Sequence, residues 1–345
     1  MKWLKNPWVL LLLLLAAAYG GYNRIYQPIF APNVQTEEGK PQEFFIYTGW
    51  DYQKVGESLM TQKLIRDVES FHWVAEQMNY PRHVYPGRYL IEEGMSTREL
   101  VQLLRSGKQT PLNFTFVKFR TTDQLAEYVG EQLEMSARDL KLILNDAAYL
   151  KRFNGLRPEI ALTIFIPNTY ELYWNVEPKE FVDRMYEEYK RFWNDTRNRQ
   201  REALNLSRLE VMTLASIVEE ETNQKDEKAT VAGVYLNRVR RKWPLEADPT
   251  VKFAVGDFTL RRILNSHLQI DSPYNTYLYP GIPPGPICTP SISSIDAVLN
   301  AKAHDYMFFC ARADGSGYHH FSETLAQHNA YAREYHRMLN QQGVK

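Results

Sequence analysis

The fifteen residues from Trp8 to Tyr22, WVLLLLLLAAAYGGY, carry no charge, and no other feature limits this chain so strongly. A stretch of that composition partitions into a lipid bilayer, so everything after it folds as a body that begins at a membrane. At ~1.5 Å per residue a helix of this length reaches ~23 Å, short of a ~30 Å hydrocarbon core unless Trp3, Leu4 and the flanking tyrosines extend it. Two readings are open. Ala16 to Ala18 offers an A-x-A-like site for a cleaved secretory signal, whereas the expectation adopted here is an uncleaved anchor over residues 1–22. Lys2 and Lys5 ahead of the run place the N-terminus inside and everything after Arg24 across the membrane.

A chain of 345 residues exceeds the size at which single cores stop growing, so more than one domain is expected. Its 41 basic and 41 acidic residues cancel, which removes the field that nucleic-acid binding requires. Cys288 and Cys310 are the two cysteines, too few for a disulfide framework; whether they pair is left open. Residues 23–42, rich in Pro, Asn, Gln and Glu, read as a linker. After it come a strand at EFFIYTG, helical spacing of Val55, Leu59, Ile65, Val74 and Ala75 through Met78, a strand at RYLIEEG, and a helix with a Ser96/Glu99 capping box and a Gly107 stop. Residues 43–113 thus form a small α+β unit. In element order and size it resembles a LysM-like module, which implies affinity for N-acetylglucosamine-containing glycans; a plain scaffold domain is the alternative.

Residues 114–345 read as a larger α+β domain with a connecting subdomain. It opens with the strand-like FTFVKF, two helices capped at Thr121 and Ser136, and an apolar IALTIFIPNTYELYW read as strand then loop; a charged helix follows over residues 180–202. The next segment, LASIVEEETN, ends in three glutamates. Ser207 and Glu210 make a capping box, so a helix starts at Arg208. Taking about 100° per residue and Leu214 as zero, Val211 falls at about +60°, Val218 at about +40°, Ile217 at about −60° and Glu221 at about −20°. Glu219 and Glu220 lie off that stripe, at about +140° and about −120°, and read as flanking charges, solvated or electrostatic. A carboxyl on a buried face either finds a cation or keeps its proton, and a kept proton is what protonation of a glycosidic oxygen needs. The competing reading leaves Glu221 in solvent past the helix end, or in a structural ion pair.

Further on, YLNRVRRKWPLEADPTV, SPYNTYLYPGIPPGPICTPS and GYHHFSETLAQHN are dense in Pro, Gly and aromatic residues, as expected of loops lining a sugar-binding groove. His319, His320 and His328 lack the spacing of a zinc motif, and no metal or other cofactor is expected. There is no G-x-S-x-G elbow and no phosphate loop, so an esterase fold or nucleotide chemistry has no support, and the absence of S-x-x-K with a matching K-T-G removes a transpeptidase.

In order, LASIVEEET, VAGVYLNRVR, ADPTV, SPYNTY, GIPPGPI and HHFSETLAQHN resemble the endolytic murein transglycosylases, the YceG-like family of the bacterial inner membrane, from about Leu209 to Leu339. The resemblance implies that Glu221, the glutamate before Thr222, is the working acid. It also implies that Asn237, Asp248, Thr250, Tyr274, Asn275, Thr276, Tyr277, Gly285, Phe321, His328 and Asn329 line the substrate groove. The chain departs from the family pattern at Glu220, where a lysine is usual, at Asn168, where Asp is common, and in FVKFRTTDQLA, which lacks the usual glycine. The implied reaction cuts the β-1,4 bond between N-acetylmuramic acid and N-acetylglucosamine and leaves 1,6-anhydro ends. Implied partners are peptidoglycan glycan strands, the membrane through the N-terminal helix, and peptidoglycan synthases. The catalytic domain is expected outside the cytoplasmic membrane. Two alternatives are kept. One is a hydrolytic muramidase, with Asp248 or Glu323 as second acid; the other is a non-catalytic glycan-binding scaffold.

Overall fold

The computed structural model describes residues 7–260 and 262–341 and divides the chain into two compact units. One runs to Phe114 and takes in Gln132–Glu134 and Glu171–Val176; the other comprises Thr115–Glu131, Met135–Tyr170 and the chain from Glu177. Both mix helices with short two-stranded sheets.

In the first unit, α1 (Pro7–Gly21) continues through a π-turn at Tyr22–Tyr26 into α2 (Gln27–Phe30). The helical run is therefore 24 residues, Pro7–Phe30. At ~1.5 Å per residue it reaches ~36 Å and exceeds the ~30 Å hydrocarbon core that the uncharged stretch alone does not span. Along this extension Tyr22 stacks on Tyr26 and Tyr26 meets Phe30 at a tilt, with centroids 5.4 and 5.1 Å apart. Among the described residues this is the helix long and apolar enough to cross a membrane, a composition that signal sequences share. Lys2 and Lys5, on which the orientation rests, lie outside the described residues.

The segment read as a linker carries more structure than a spacer. Val34 is fully buried in the core of this unit and pairs through its backbone with Ile65. The buried Asn33 side chain accepts from the amides of Arg66 and Asp67 and donates to the Thr97 hydroxyl. β1 (Gln42–Ile46) pairs antiparallel with β2 (Gly87–Ile91). The helical spacing between them resolves into two helices, α3 (Tyr52–Thr61) and α4 (Val68–Gln77). Lys63 turns the chain in a left-handed conformation, φ 56°, and Asp67 caps the second helix. The α5 helix (Thr97–Ser106) has both arms of its Ser96/Glu99 capping box and stops at Gly107, φ 66°. Phe44, Ile46, Val55, Leu59, Phe71, Tyr89, Leu100 and Leu104 close the core.

The chain passes between units through β3 (Leu112–Thr115) and its sheet partner β4 (Thr169–Leu172). The second unit then holds α6 (Thr122–Gln132), α7 (Ala137–Leu144) and α8 (Ala147–Leu150). The stretch expected as a strand before Pro167 is instead a 3-10 turn, Pro158–Ile164, opened by Pro158, and the strand forms only at β4. The charged helix is two: α9 (Pro178–Phe192) ends beside Trp193, and Asn194 caps α10 (Asp195–Ala203). Next come α11 (Arg208–Glu221), α12 (Lys228–Arg240), α13 (Asp248–Val255) and α14 (Ile292–Leu299). A hairpin of β5 (Phe308–Ala311) and β6 (His319–Ser322) and a final α15 (Leu325–Gln341) complete it. Helix α11 is central: α12, α13 and α14 pack around it, and every residue from Val211 to Val218 is buried. Cys288, buried, and Cys310 are both free thiols.

Candidate active site

Helix α11 starts where expected, with Ser207 and Glu210 satisfying each other's amides, and its last residue is Glu221. Because the helix is enclosed on all sides, the three glutamates at its end are separated by what each meets rather than by one apolar stripe. Glu219 accepts from the buried Lys228 ammonium at 2.9 Å and from the Ser291 and Ser294 hydroxyls at 2.5 Å each. Burial alone would push its carboxyl up, but the serine and lysine donors outweigh this and hold it below the ordinary range. Glu220 is pinned between Lys118 and Arg120, at 2.7 Å each, and the two cations likewise overcome its burial and keep it ionised. Both are engaged charges; neither is simply solvated.

Among the described residues Glu221 makes no ion pair. Its Oε1 accepts one hydrogen bond, 2.5 Å from the hydroxyl of the buried Tyr235 on α12. Part of the residue reaches the surface, yet its carboxyl lies deep among protein atoms, and desolvation pushes it up to about 7. The Tyr235 hydrogen bond and the Arg238 guanidinium pull downward; the negative charges of Asp248 and Glu220 push upward. Arg238 is itself buried, bound to the carbonyls of Met307 and Leu245 and to Glu246, so its charge is largely committed elsewhere. The result is a carboxyl that carries its proton near neutrality beside a neighbour that fixes one of its oxygens.

Of the residues implied to line the groove, Asp248 and Tyr277 stand with Glu221. The Tyr277 hydroxyl donates to Asp248 Oδ1 at 2.6 Å, and Asp248 is the first residue of α13. Burial and the Asp248 carboxylate raise the Tyr277 phenol, to which the Glu221 charge adds. The next group holds loops in shape. Thr250 and Thr276, both buried, share a 2.8 Å hydrogen bond, and the Asn275 amide ties down the carbonyls of Leu268 and Ile270. Gly285 sits where an added Cβ would come within 2.7 Å of Ile160 Cγ2 and 3.1 Å of the Tyr274 hydroxyl, so the loop closes onto that tyrosine only without a side chain. Tyr274 packs its ring on Phe253 at 4.7 Å.

The others have partners of their own. The Asn237 amide donates to the carbonyls of His304 and Tyr306. Phe321 stacks with Tyr306 on the β5–β6 hairpin, and His328 stacks on Phe308 with its imidazole depressed by burial. Asn329 and Glu323 are exposed. His319 binds Glu227 and His320 stacks on Tyr331. Sequence reasoning passed over Tyr235, Lys228, Lys118 and Arg120. Tyr235 stands inside the quoted VAGVYLNRVR, but its partner is fourteen residues away on another helix, and no spacing rule links them.

A two-unit α+β protein, with a buried protonatable acid closing its central helix and a tyrosine hydroxyl aimed at it, is the class these elements define. The chain belongs to the YceG-like family, whose model matches residues 44–334. It is 28% identical over 266 residues, 72% of each chain, to the endolytic murein transglycosylase of Bacillus subtilis strain 168. With the endolytic murein transglycosylase of Streptococcus pneumoniae strain D39 it shares 24% over 336 residues, covering 88% of this chain and 60% of that relative. In fold it is similar to a yceG-like protein of Listeria monocytogenes, with a TM-score of 0.56, 24% identity, and coverage of 85% of this chain and 99% of the other.

Proposed function

We propose that this chain is a membrane-associated endolytic transglycosylase that cuts peptidoglycan glycan strands, with Glu221 as its acid and base. The observation that carries the reading is a buried carboxyl raised to about 7 that nevertheless has a single oriented hydrogen bond. Family membership and relatives named as endolytic murein transglycosylases support it.

Neutral Glu221 gives its proton to the glycosidic oxygen as the bond from muramyl C1 breaks, and N-acetylglucosamine leaves with that proton. The carboxylate so formed takes the proton of the muramyl 6-hydroxyl while O6 bonds to C1, closing a 1,6-anhydro ring. Glu221 ends as it began, and no water is consumed. Because the nucleophile is held within the substrate, no second carboxylate is needed to activate water. Tyr235, donating to Oε1, leaves Oε2 to carry the travelling proton. Asp248, bound by Tyr277, keeps a negative charge near the site that favours the neutral acid and would stabilise positive charge developing at C1.

The SPYNTY and GIPPGPI loops would line the groove, and the first unit, as a LysM-like module over residues 43–113, would hold the strand. Pro7–Phe30 would serve as an uncleaved single-pass anchor with the body outside the cytoplasmic membrane, where peptidoglycan synthases are candidate neighbours. Digesting purified glycan strands and reading the new ends by mass spectrometry tests the reaction. Anhydro-muramyl ends are expected; reducing muramic acid would move the assignment to a hydrolase using Asp248 or Glu323, and intact strands to a scaffold.

A further inference from the structure

At the opposite end of α11 from Glu221 the second unit contains a cleft of about 620 Å³. That volume suits a ligand of several hundred daltons rather than an ion. Arg157, Arg201 and Arg208 are the charged residues of its lining, which includes no carboxylate. Glu202 offsets Arg201, while Arg157 and Arg208 make no ion pair among the described residues. Phe153, Tyr186 and Tyr189 form an aromatic wall, with centroids 4.7 and 6.1 Å apart in sequence.

The helix adds to the charge. Ser207, Arg208 and Leu209 reach the cleft, and the capping box engages the amides of Ser207 and Glu210 only, leaving those of Arg208 and Leu209 without an acceptor in the helix. Thr163 points independently to a ligand. It lines the cleft, is 4% exposed, and its Oγ1 has no hydrogen-bond partner among the described residues. Native proteins seldom bury a hydroxyl unpaired.

We infer that this cleft is a second substrate site, which binds a carboxylate-bearing peptide stem of the glycan strand. The inference rests on the proposed substrate: in such a strand the sugars are neutral, so its negative charge resides in the stem carboxylates, and guanidinium forks match carboxylates. Helix α11, fourteen residues long, separates the cleft from Glu221 by about 20 Å, so a ligand engaging both is a polymer. Contact between the two regions runs through Ile160, which lines the cleft and abuts Gly285.

Titration calorimetry on the full chain carrying Glu221→Gln tests this without turnover. The ligands are a soluble stem peptide with free carboxylates, its fully amidated counterpart, and inorganic phosphate. The acidic peptide is expected to bind and the amidated one not. Arg157→Ala, at an exposed residue whose side chain makes no hydrogen bond among the described residues, should weaken binding about tenfold with unchanged circular dichroism. Arg157→Lys should retain part of it. Equal affinity for the amidated peptide, unchanged affinity in Arg157→Ala, or binding of phosphate but not of peptide would each overturn the stem assignment. Strand cleavage by the wild-type chain is scored separately: peptide binding without cleavage would support the cleft and count against Glu221, and cleavage without peptide binding would do the reverse.

Discussion

Glu219, Glu220 and Glu221 are three identical side chains in a row, and their protons are governed by neighbours that come from three other segments. Lys228, Ser291 and Ser294 keep the first ionised, Lys118 and Arg120 the second, and among the described residues Tyr235 alone hydrogen-bonds to the carboxyl of the third. Activity that needs neutral Glu221 should therefore fall on the alkaline side of about 7 in kcat/KM. Removing the hydroxyl with Tyr235→Phe deletes a donor that favours the carboxylate, so that limb should move to higher pH while kcat drops about tenfold or more through lost positioning. An unmoved limb would show that Tyr235 does not act on Glu221. The linkage has a definite sign. Glu221 is raised in the fold, so its contribution to stability is full below the ordinary 4.5 and is lost as pH rises through about 7, a span worth about 3 kcal/mol. Glu219 and Glu220 are depressed, so theirs is present above the ordinary range and is lost as pH falls through their lowered values. Lys228→Met would strand the Glu219 carboxylate in the interior, and urea unfolding should register a loss of about 3 to 5 kcal/mol.

At the scale of elements, what was legible in the sequence was what local chemistry determines. The capping boxes at Ser96/Glu99 and Ser207/Glu210 both form, because each needs only residues three apart. Two helices ran past their true ends in the sequence reading, from Tyr52 and across Trp193. Breaks of that kind depend on a left-handed Lys63 and on caps by Asp67 and Asn194, polar residues that look equally at home on a solvated face. The helical register singled out Glu221, but for a helix buried on every side the register alone separates little; desolvation and the absence of a cation are tertiary facts. The α12 helix shows the same dependence at Gly233, where a Cβ would lie 2.6 Å from the Lys302 carbonyl and 2.5 Å from His304 Nε2. Gly233→Ala should force the 302–304 segment off the helix and lower stability by about 1 to 3 kcal/mol, despite alanine's better helix propensity. Equal or higher stability in denaturant unfolding would show that this segment yields freely.

For the whole molecule, a helical run long enough for a bilayer joins a unit whose core already includes Val34, so little free tether separates the two. Such an arrangement fits an enzyme that works on strands close to the membrane where they emerge. In the proposed mechanism, cleavage depends on one carboxyl moving one proton out and one back. Purified sacculi treated with the wild-type chain and with Glu221→Gln, followed by mass spectrometric counting of strand ends, address this most directly. The variant should retain the fold by circular dichroism and release no 1,6-anhydro ends, whereas the wild type releases them. Anhydro ends produced by the glutamine variant at the wild-type rate would contradict the assignment of Glu221.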